Sequence, residues 1–270
     1  MTYNINKNLL VRANWSNSIG RPGLTNLVPS FAVNEATDTV TVSNAGLGPQ
    51  TSENWDLGIE YYFEPVGVLS ANVFRKNMDG FIVSGNIGTI GSGPNNGFDG
   101  DYAGYNLNST FNGGEATIKG FELGYQQRFE FLPKPFSGLT AFATYTWLTT
   151  DGDYGSTSAA VPSTTDVVDF IPEAINVGLS YAYRGFGARV SWNRTGRYLN
   201  SYNANAALLR YTMERDMWDA SVSYRLKRRL TLFADVRNLT NSPRAWERAA
   251  GVTTSYIFFT AVNFGIKGEF

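Results

Sequence analysis

The sequence predicts an all-β fold, a transmembrane antiparallel up-and-down β-barrel, and two observations predict it. About ten stretches of the chain alternate apolar and polar residues. The gaps between these stretches alternate between short and long. A transmembrane barrel shows this pattern because its periplasmic turns are tight and its extracellular loops are extended. A soluble sandwich has no reason to sort its loops in this way. The short gaps lie near 64–67, 132–137, 184–186 and 228–229, and the long gaps near 16–51, 85–111, 151–170, 199–215 and 241–255.

The individual strands show the period of two that places successive side chains on opposite faces of a sheet. The same alternation begins at Trp55 and recurs at 175–183, at 218–226 and from Leu230 onward. We expect the apolar faces to meet lipid and the polar faces to line a wet lumen, with aromatic residues at the membrane–water interface. In the segment from Trp55, the apolar set is Trp55, Leu57, Ile59, Tyr61 and Phe63, and the other set is Asp56, Gly58, Glu60 and Tyr62.

Composition excludes several classes of protein. No run approaches the roughly 18 apolar residues of a membrane helix, and a net charge of −1 gives no electrostatic case for nucleic-acid binding. The chain has neither Cys nor His, so Ser-His-Asp or Cys-His catalysis and the usual zinc sites are excluded; we expect no enzyme and no cofactor. Two Asp-Gly-Asp triplets, at 99–101 and 151–153, are interpreted as turns, and no metal site is predicted.

The last strand carries a further pattern. Apolar residues alternate along it, and the chain ends on Phe270. This pattern resembles the C-terminal signal by which the bacterial barrel-assembly machinery recognises its clients, and Phe264, Ile266 and Phe270 are the residues that would carry it. Gly268 departs from the bulky residue that is usual two places before the end.

Several short sequence segments resemble segments of the TonB-dependent outer-membrane receptors, and they occur in the same order along the chain. Together they cover essentially the whole chain. Each segment alone is a weak signal, and the resemblance is specific only when all the segments are taken together. They are Ser18-Ile19-Gly20-Arg21-Pro22 with Leu27-Val28-Pro29, the stretch from Ser43 to Phe63, Phe74-Arg75-Lys76 with Gly80-Phe81-Ile82, Gly114-Glu115-Ala116 with Gly120-Phe121-Glu122, and Asp235-Val236-Arg237-Asn238-Leu239-Thr240-Asn241.

The resemblance implies that residues 1–270 are about ten C-terminal strands of a 22-stranded barrel, with the plug domain absent. No signal peptide is visible in the first residues, which also favours the C-terminal part of a longer protein. We therefore expect an open half-barrel in the bacterial outer membrane. The implied function is energised uptake of a scarce nutrient such as a ferric siderophore, cobalamin or a glycan, with the TonB complex, reached through the missing N-terminal part, the barrel-assembly machinery and outer-membrane lipid as partners.

Ligand capture is expected on the long loops, because aromatic faces there can stack on sugars or on siderophore rings. The Gly-, Asn- and Ser-rich stretch 85–114 is itself interpreted as one long loop. The candidate ligand-binding residues are Tyr102, Tyr105, Phe111, Tyr202 and Trp246. The same rings could instead brace their loops or lie in the interfacial belt.

Three alternatives remain open at this stage. A complete ten-stranded barrel could act as a passive channel or an adhesin, and closure of the first strand on the last would favour it. An outer-membrane protease is opposed by the absence of His. A soluble β-sandwich is the weakest alternative, because its strands would rarely alternate so consistently with an aromatic outward face.

Overall fold

The computed structural model describes residues 1–64, 66–155, 163–227 and 229–268. Within these ranges no helix is long and apolar enough to cross a membrane. The helical segments are one short α-helix, α1 (Leu24–Leu27), and 3-10 turns at Phe136–Gly138 and Ala206–Leu208. The strands are β1 (Thr2–Asn4), β2 (Leu9–Gly20), β3 (Phe31–Asn34), β4 (Thr39–Val42), β5 (Gln50–Phe63), β6 (Gly67–Asp79), β7 (Ile82–Thr89), β8 (Asn106–Asn112), β9 (Glu115–Arg128), β10 (Leu139–Gly152), β11 (Glu173–Tyr183), β12 (Phe186–Thr195), β13 (Tyr198–Asn203), β14 (Arg210–Thr212), β15 (Arg215–Lys227), β16 (Leu230–Arg237), β17 (Arg244–Arg248), β18 (Gly251–Tyr256) and β19 (Ala261–Gly268).

Eleven strands form one antiparallel sheet, here called the barrel sheet. Its order is β1-β2-β5-β6-β9-β10-β11-β12-β15-β16-β19, so each strand pairs with the next barrel strand along the chain. This confirms the predicted all-β, up-and-down architecture. The predicted ten stretches are the ten long strands, and β1 adds a strand of 3 residues at one edge.

Short and long connections alternate between the two ends of the barrel sheet. The turn between β11 and β12 consists of Arg184 and Gly185, whose positive φ angles of 46° and 87° suit a two-residue type I′ hairpin. We call the end with the short connections the turn end and the other the loop end. Of the described residues, the turn end carries 5–8, 64, 66, 129–138, 184–185 and 229, and the loop end carries 21–49, 80–114, 153–155 with 163–172 (the loop between β10 and β11), 196–214 and 238–260.

The two faces of the barrel sheet differ as the alternation predicts. Directly opposed residues share a face, and the register keeps the apolar residues together from strand to strand, as in Leu57, Val73 and Phe121. The apolar set on β5 is exposed, with Leu57 at 51% and Ile59 at 44%. Exposure of such side chains suits a lipid-facing surface, and from Trp55 to Phe63 this band measures about 27 Å along the strand.

The inward face is polar and hydrogen-bonded across strands. Arg12 Nε lies 2.8 Å from Glu60 Oε1 between β2 and β5, and Asn176 Nδ2 donates to Thr144 Oγ1 at 3.1 Å between β11 and β10. These contacts satisfy polar groups on the face opposite the exposed apolar set. The inward face is therefore the side that would line a wet lumen.

The long loops are not irregular. They contain eight strands that form a second sheet, here called the loop sheet, in the order β18-β17-β14-β13-β7-β8-β4-β3. Four loops contribute one hairpin each, and parallel ladders join β4 to β8 and β7 to β13. The interpretation of 85–114 as one long loop is therefore wrong, because most of β7 and all of β8 lie in it. Parallel pairing between distant segments leaves no periodic signal in the sequence.

The barrel sheet is open. Within the described residues β1 and β19 are its two edges, and no ladder joins residues 8–15 to 257–268. The expectation of an open sheet is therefore confirmed. Pairing of the first strand with the last, which would have favoured a complete ten-stranded barrel, is not observed among the described residues. Phe270 lies outside the described residues, whereas Phe264 and Ile266 lie on the outward face of β19, at 83% and 66% exposure.

The buried core lies at the loop end, between the barrel sheet and the loop sheet. Its centre contains Ile118 of β9 and Leu199 of β13, each 1% exposed. The loop between β10 and β11, which adds no strand to the loop sheet in its described residues, contributes Tyr154 and Val167 to the same cluster. Most of the apolar burial in this chain therefore fixes the loops against the end of the barrel.

Candidate ligand-binding site at the loop end

The structure distributes the five predicted ligand-binding residues over three aromatic clusters. Tyr102 and Tyr105 belong to the first, with ring centroids 5.6 Å apart. Phe98 packs edge-on against Tyr102 at 5.9 Å and contacts Phe31 at 6.4 Å. Phe31 is exposed, and the other three rings are half-buried. This cluster therefore presents aromatic surface to solvent from two neighbouring loops.

Phe111 and Tyr202 lie together in the second cluster, which is part of the core. Their centroids are 5.9 Å apart, and Tyr202 stacks on Tyr154 at 3.9 Å with an interplanar angle of 11°. Phe81 meets the edge of this stack at 5.2 Å from Tyr154. Tyr202 is 7% exposed. These rings join the loops that carry β7, β8 and β13 to the loop 153–172.

Trp246 lies in the third cluster, on β17. Its ring is 5.3 Å from that of Tyr256, perpendicular to it, and the Arg244 guanidinium lies 5.2 Å from the Trp246 ring. Within the described residues, Trp246 Nε1, Thr212 Oγ1 and Arg215 Nε are buried without a hydrogen-bond partner. Thr212 and Trp246 are directly opposed in register. No sequence pattern indicates this group of polar atoms.

A hydrogen-bond network connects the loops beneath these clusters. The Tyr154 hydroxyl donates to Asp166 O at 2.7 Å and accepts from Val168 N at 3.2 Å. Tyr211 donates its hydroxyl hydrogen to Asp166 Oδ2 at 2.9 Å. Burial raises the pKa of Tyr154, and burial is also the largest cause that raises the pKa of Tyr211. Both phenols therefore stay neutral donors over the ordinary pH range.

Arg197 extends this network to a third loop. Its guanidinium carbon lies 3.5 Å from the centroid of the Tyr211 ring, and its Nε is paired with a carboxylate oxygen of Glu247. Three loops, 153–172, 196–214 and 238–260, are thus joined by side-chain contacts in addition to the ladders of the loop sheet. The arrangement holds the loop aromatics on a layer with fixed geometry.

A cavity of about 410 Å³ lies under this layer, on the inward side of the barrel sheet. Its wall consists of the loop ends of β2, β5 and β6, and its roof consists of Phe81, Ile82, Val83, Val167, Val168 and Phe170. Gln50 holds one side of the roof in place, because its Oε1 accepts from Ile82 N at 2.8 Å. Lys76 supplies the charge among the lining residues, and no carboxylate lines this cavity.

The sequence analysis missed this cavity, although part of its wall could have been found. Continued alternation from the apolar set of β6 places Lys76 on the inward face. The roof could not be found, because Phe81 and Val167 meet only through packing of two separate loops.

The two Asp-Gly-Asp triplets lie in turns or at strand ends. Asp153 Oδ1 accepts from the Gly155 amide at 2.9 Å, and Asp99 has a positive φ of 55°. Across the described ranges, no group of three or more acidic residues is placed to hold a metal ion.

Comparison with known proteins identifies the family. The family described as TonB dependent receptor-like, beta-barrel, matches residues 1–239. The chain belongs to the TonB-dependent receptors. No curated protein matches the sequence of this receptor chain. Family members are transport receptors of the bacterial outer membrane.

Solved structures share the fold of this TonB-dependent receptor chain. A point mutant of the ferric enterobactin receptor PfeA from Pseudomonas aeruginosa superposes with a TM-score of 0.67 at 19% identity, over 100% of this chain and 39% of that one. The copper transporter OprC gives 0.66 at 15% identity, over 100% and 37%. The ferric-catecholate import receptor Fiu from E. coli gives 0.65 at 15%, over 98% and 34%. This receptor chain therefore spans well under half the length of these relatives.

Proposed function

We propose that residues 1–270 form the C-terminal portion of the barrel of an outer-membrane receptor that takes up a small nutrient ligand with energy delivered through TonB. The observation that carries the proposal is the open, up-and-down sheet whose loop end holds a structured layer over an inward-facing cavity. The short span relative to PfeA supports the assignment to one part of a longer barrel. TonB would act through the N-terminal part that such receptors carry, and the barrel-assembly machinery would act through the terminal strand.

The cavity favours an anionic ligand that also presents apolar or aromatic surface. Lys76 provides a positive charge on the wall, and Phe81, Val167 and Phe170 provide an apolar roof. A cation would meet no carboxylate there, and the chain has no His or Cys with which to bind copper. Among ferric siderophores, cobalamin and glycans, a ferric catecholate siderophore fits this chemistry best, and PfeA and Fiu are similar structures named for ferric enterobactin and ferric catecholate.

The aromatics of the first and third clusters would make the first contact. Tyr102 and Tyr105 present a tilted pair of rings next to Phe31 and Phe98, and Trp246 presents an indole beside Arg244. Stacking on such rings is favourable for catechol groups, which are themselves aromatic. Phe111 and Tyr202 would contribute indirectly, since they hold the layer in place from within the core.

Binding of ferric enterobactin to intact cells tests this function. In the full-length receptor we expect Lys76→Gln to weaken binding, and the triple variant Tyr102→Ala, Tyr105→Ala, Trp246→Ala to weaken it by at least about tenfold, because each truncated anchor removes on the order of 1 kcal/mol. Cobalamin and a maltodextrin serve as comparison ligands. The measurement is made at matched surface abundance.

A matched control removes apolar bulk from the same end of the barrel sheet without removing a ring. Leu24, Val28 and Val252 are 81%, 61% and 58% exposed, and their combined replacement by Ala should leave binding unchanged. Equal ferric enterobactin binding by Lys76→Gln, the aromatic triple variant and the parent would refute the assigned ligand class and the role of these loops.

A further inference from the structure

Residues 90–105, here called the tip loop, leave the loop sheet between β7 and β8 and return to it at the same point. At this base, Ile90 N donates to Tyr105 O at 2.9 Å, and Gly104 N donates to Ile90 O at 2.8 Å. Ile90 is buried, at 5% exposure. A compact surface loop whose ends lie close together commonly carries function, and this one carries three of the four rings of the first aromatic cluster.

One side chain organises the interior of the tip loop. Asn96 Oδ1 accepts from Phe98 N at 2.9 Å and from Gly100 N at 3.0 Å. Its Nδ2 donates to Gly91 O at 3.1 Å and to Asp101 O at 2.8 Å. An amide side chain has two donor hydrogens and two acceptor lone pairs, so the full hydrogen-bonding capacity of Asn96 is used. Backbone groups from both sides of the tip loop are therefore held around a single amide.

Little else holds the backbone of the tip loop above its base. No strand lies in residues 91–105, and among the described residues no other side chain hydrogen-bonds to their backbone groups. Two turns complete the contacts: Asp101 N donates to Phe98 O, and Tyr105 N donates to Tyr102 O, both at 3.0 Å. Asn side chains can satisfy backbone groups where a ladder is absent. The conformation of the tip loop therefore depends on Asn96.

The backbone at Tyr102 is strained. Its φ angle is 57°, in the left-handed region that an aromatic residue rarely adopts. A residue stays in such a conformation only where its surroundings hold it there, and such positions cluster at ligand-binding sites. In this conformation the Tyr102 ring lies 5.9 Å from that of Phe98 and 5.6 Å from that of Tyr105. The arrangement of the rings therefore follows from the backbone conformation.

Packing against the neighbouring loop is too slight to hold these rings by itself. Among the described residues, the aromatic contact from outside the tip loop is Phe31, whose ring lies 6.4 Å from that of Phe98. Phe31 is itself 63% exposed. The backbone amide of Phe98 is bonded to Asn96, so the hydrogen bonds of Asn96 reach the ring cluster directly.

We propose that Asn96 is a positioning residue for ligand capture, which holds the rings of Phe98, Tyr102 and Tyr105 in a fixed arrangement before the ligand arrives. The inference rests on the proposed function, in which Tyr102 and Tyr105 contact the ligand. Rings that are already ordered lose little side-chain freedom on binding, so more of the stacking free energy appears as affinity. The ligand favoured by such a surface is one with flat aromatic groups, as in a catecholate.

Hydrogen exchange of the full-length receptor in mild detergent, without ligand, tests whether Asn96 fixes the tip loop. We expect peptides that cover 91–105 to exchange at least about fivefold faster in Asn96→Ala, because backbone groups lose their partner. Peptides from β5 and β6 should exchange as in the parent. The matched control is Asn86→Ala, which removes an amide of β7 that donates to Gly88 O at 3.1 Å and to Asn108 Oδ1 at 3.3 Å. It should leave exchange at 91–105 unchanged.

Binding of ferric enterobactin to the same receptors tests whether this order serves capture. We expect Asn96→Ala to weaken binding about tenfold, because the ligand must then order two rings. In a receptor that already carries Tyr102→Ala and Tyr105→Ala, adding Asn96→Ala should change the affinity by less than about twofold, since residues that act through one another are not additive. Asn86→Ala should bind as the parent does.

Failure of the positioning role and failure of the proposed function give different results. If Asn96→Ala binds as the parent does, or weakens binding equally with and without the two tyrosines, the positioning role is overturned while the capture role of the rings stands. Unchanged exchange at 91–105 overturns it as well. If the double tyrosine variant binds ferric enterobactin as the parent does, the capture role of the rings fails, and the positioning role fails with it. Heat-modifiable migration on gels confirms that each variant is folded before the comparison.

Discussion

Removal of the Tyr154 hydroxyl tests whether a single side chain holds the roof of the cavity. Tyr154 is 4% exposed, and Phe at this position would keep the stacking on Tyr202 at 3.9 Å. The substitution would leave Asp166 O and Val168 N without their partner inside the protein. A buried polar group that loses its partner costs about 1 to 3 kcal/mol.

The expected effect is local. The substitution affects two buried groups, Asp166 O and Val168 N. Because partial relaxation lets water reach one of them, we expect local stability to fall by about 2 kcal/mol. This corresponds to about a 30-fold increase in the equilibrium constant for opening. The free energy in question is that of local opening of the segment 163–172, since the hydrogen bonds of the barrel sheet do not involve this hydroxyl. Segments of low local stability exchange their amides independently of the rest of the fold.

Hydrogen exchange followed by mass spectrometry measures this opening in the detergent-solubilised receptor. Peptides from 163–172 should exchange about 30-fold faster in Tyr154→Phe, and peptides from β9 and β10 should not change. The control is Tyr125→Phe, which removes a hydroxyl that donates to Gln127 Oε1 at 2.6 Å on the barrel sheet. Unchanged exchange at 163–172, or faster exchange throughout the barrel sheet, would refute the reasoning.

Two further predictions concern the barrel wall and its assembly. Val222→Arg, on the outward face of β15, should destabilise the folded barrel by about 2–4 kcal/mol in lipid vesicles, whereas Ser221→Arg, on the inward face, should cost much less; equal losses in urea titrations would contradict the assignment of the two faces. Deletion of Phe270 from the full-length protein should lower the amount of heat-modifiable barrel in the outer membrane with synthesis unchanged, and an unaltered yield would count against a role for this residue in assembly.

The barrel sheet could be predicted from the sequence because its information is local. Alternation at positions such as Trp55, Leu57 and Ile59 indicates which face of the sheet meets lipid. The length of each connection indicates the end of the sheet at which it lies. Each barrel strand then pairs with its neighbour, so the order needs no further information. The open edges also agree with the expectation drawn from the family resemblance.

The loop sheet could not be predicted, because its decisive contacts join segments that are far apart in sequence. β7 pairs in parallel with β13, through Gly85 and Tyr202. Gly85 is required at this point, since a Cβ atom there would lie 2.7 Å from Tyr202 O. A glycine in a Gly- and Asn-rich stretch is normally interpreted as a loop residue. Here it allows the backbones of β7 and β13 to approach closely. Composition alone therefore indicated irregular structure where a strand is present.

The same long-range packing determines which predicted aromatics are available to a ligand. Sequence alone treats Tyr102 and Tyr202 alike, as rings between polar residues in long loops. The parallel ladder of β7 and β13 brings Tyr202 against Tyr154 and Phe111 and buries it, whereas Tyr102 remains half-buried beside Phe98. Because Tyr154 both stacks on Tyr202 and holds Asp166 and Val168, the ring that fixes the loop sheet also fixes the roof of the cavity. The loop sheet and the roof of the cavity are therefore mechanically connected through one buried side chain.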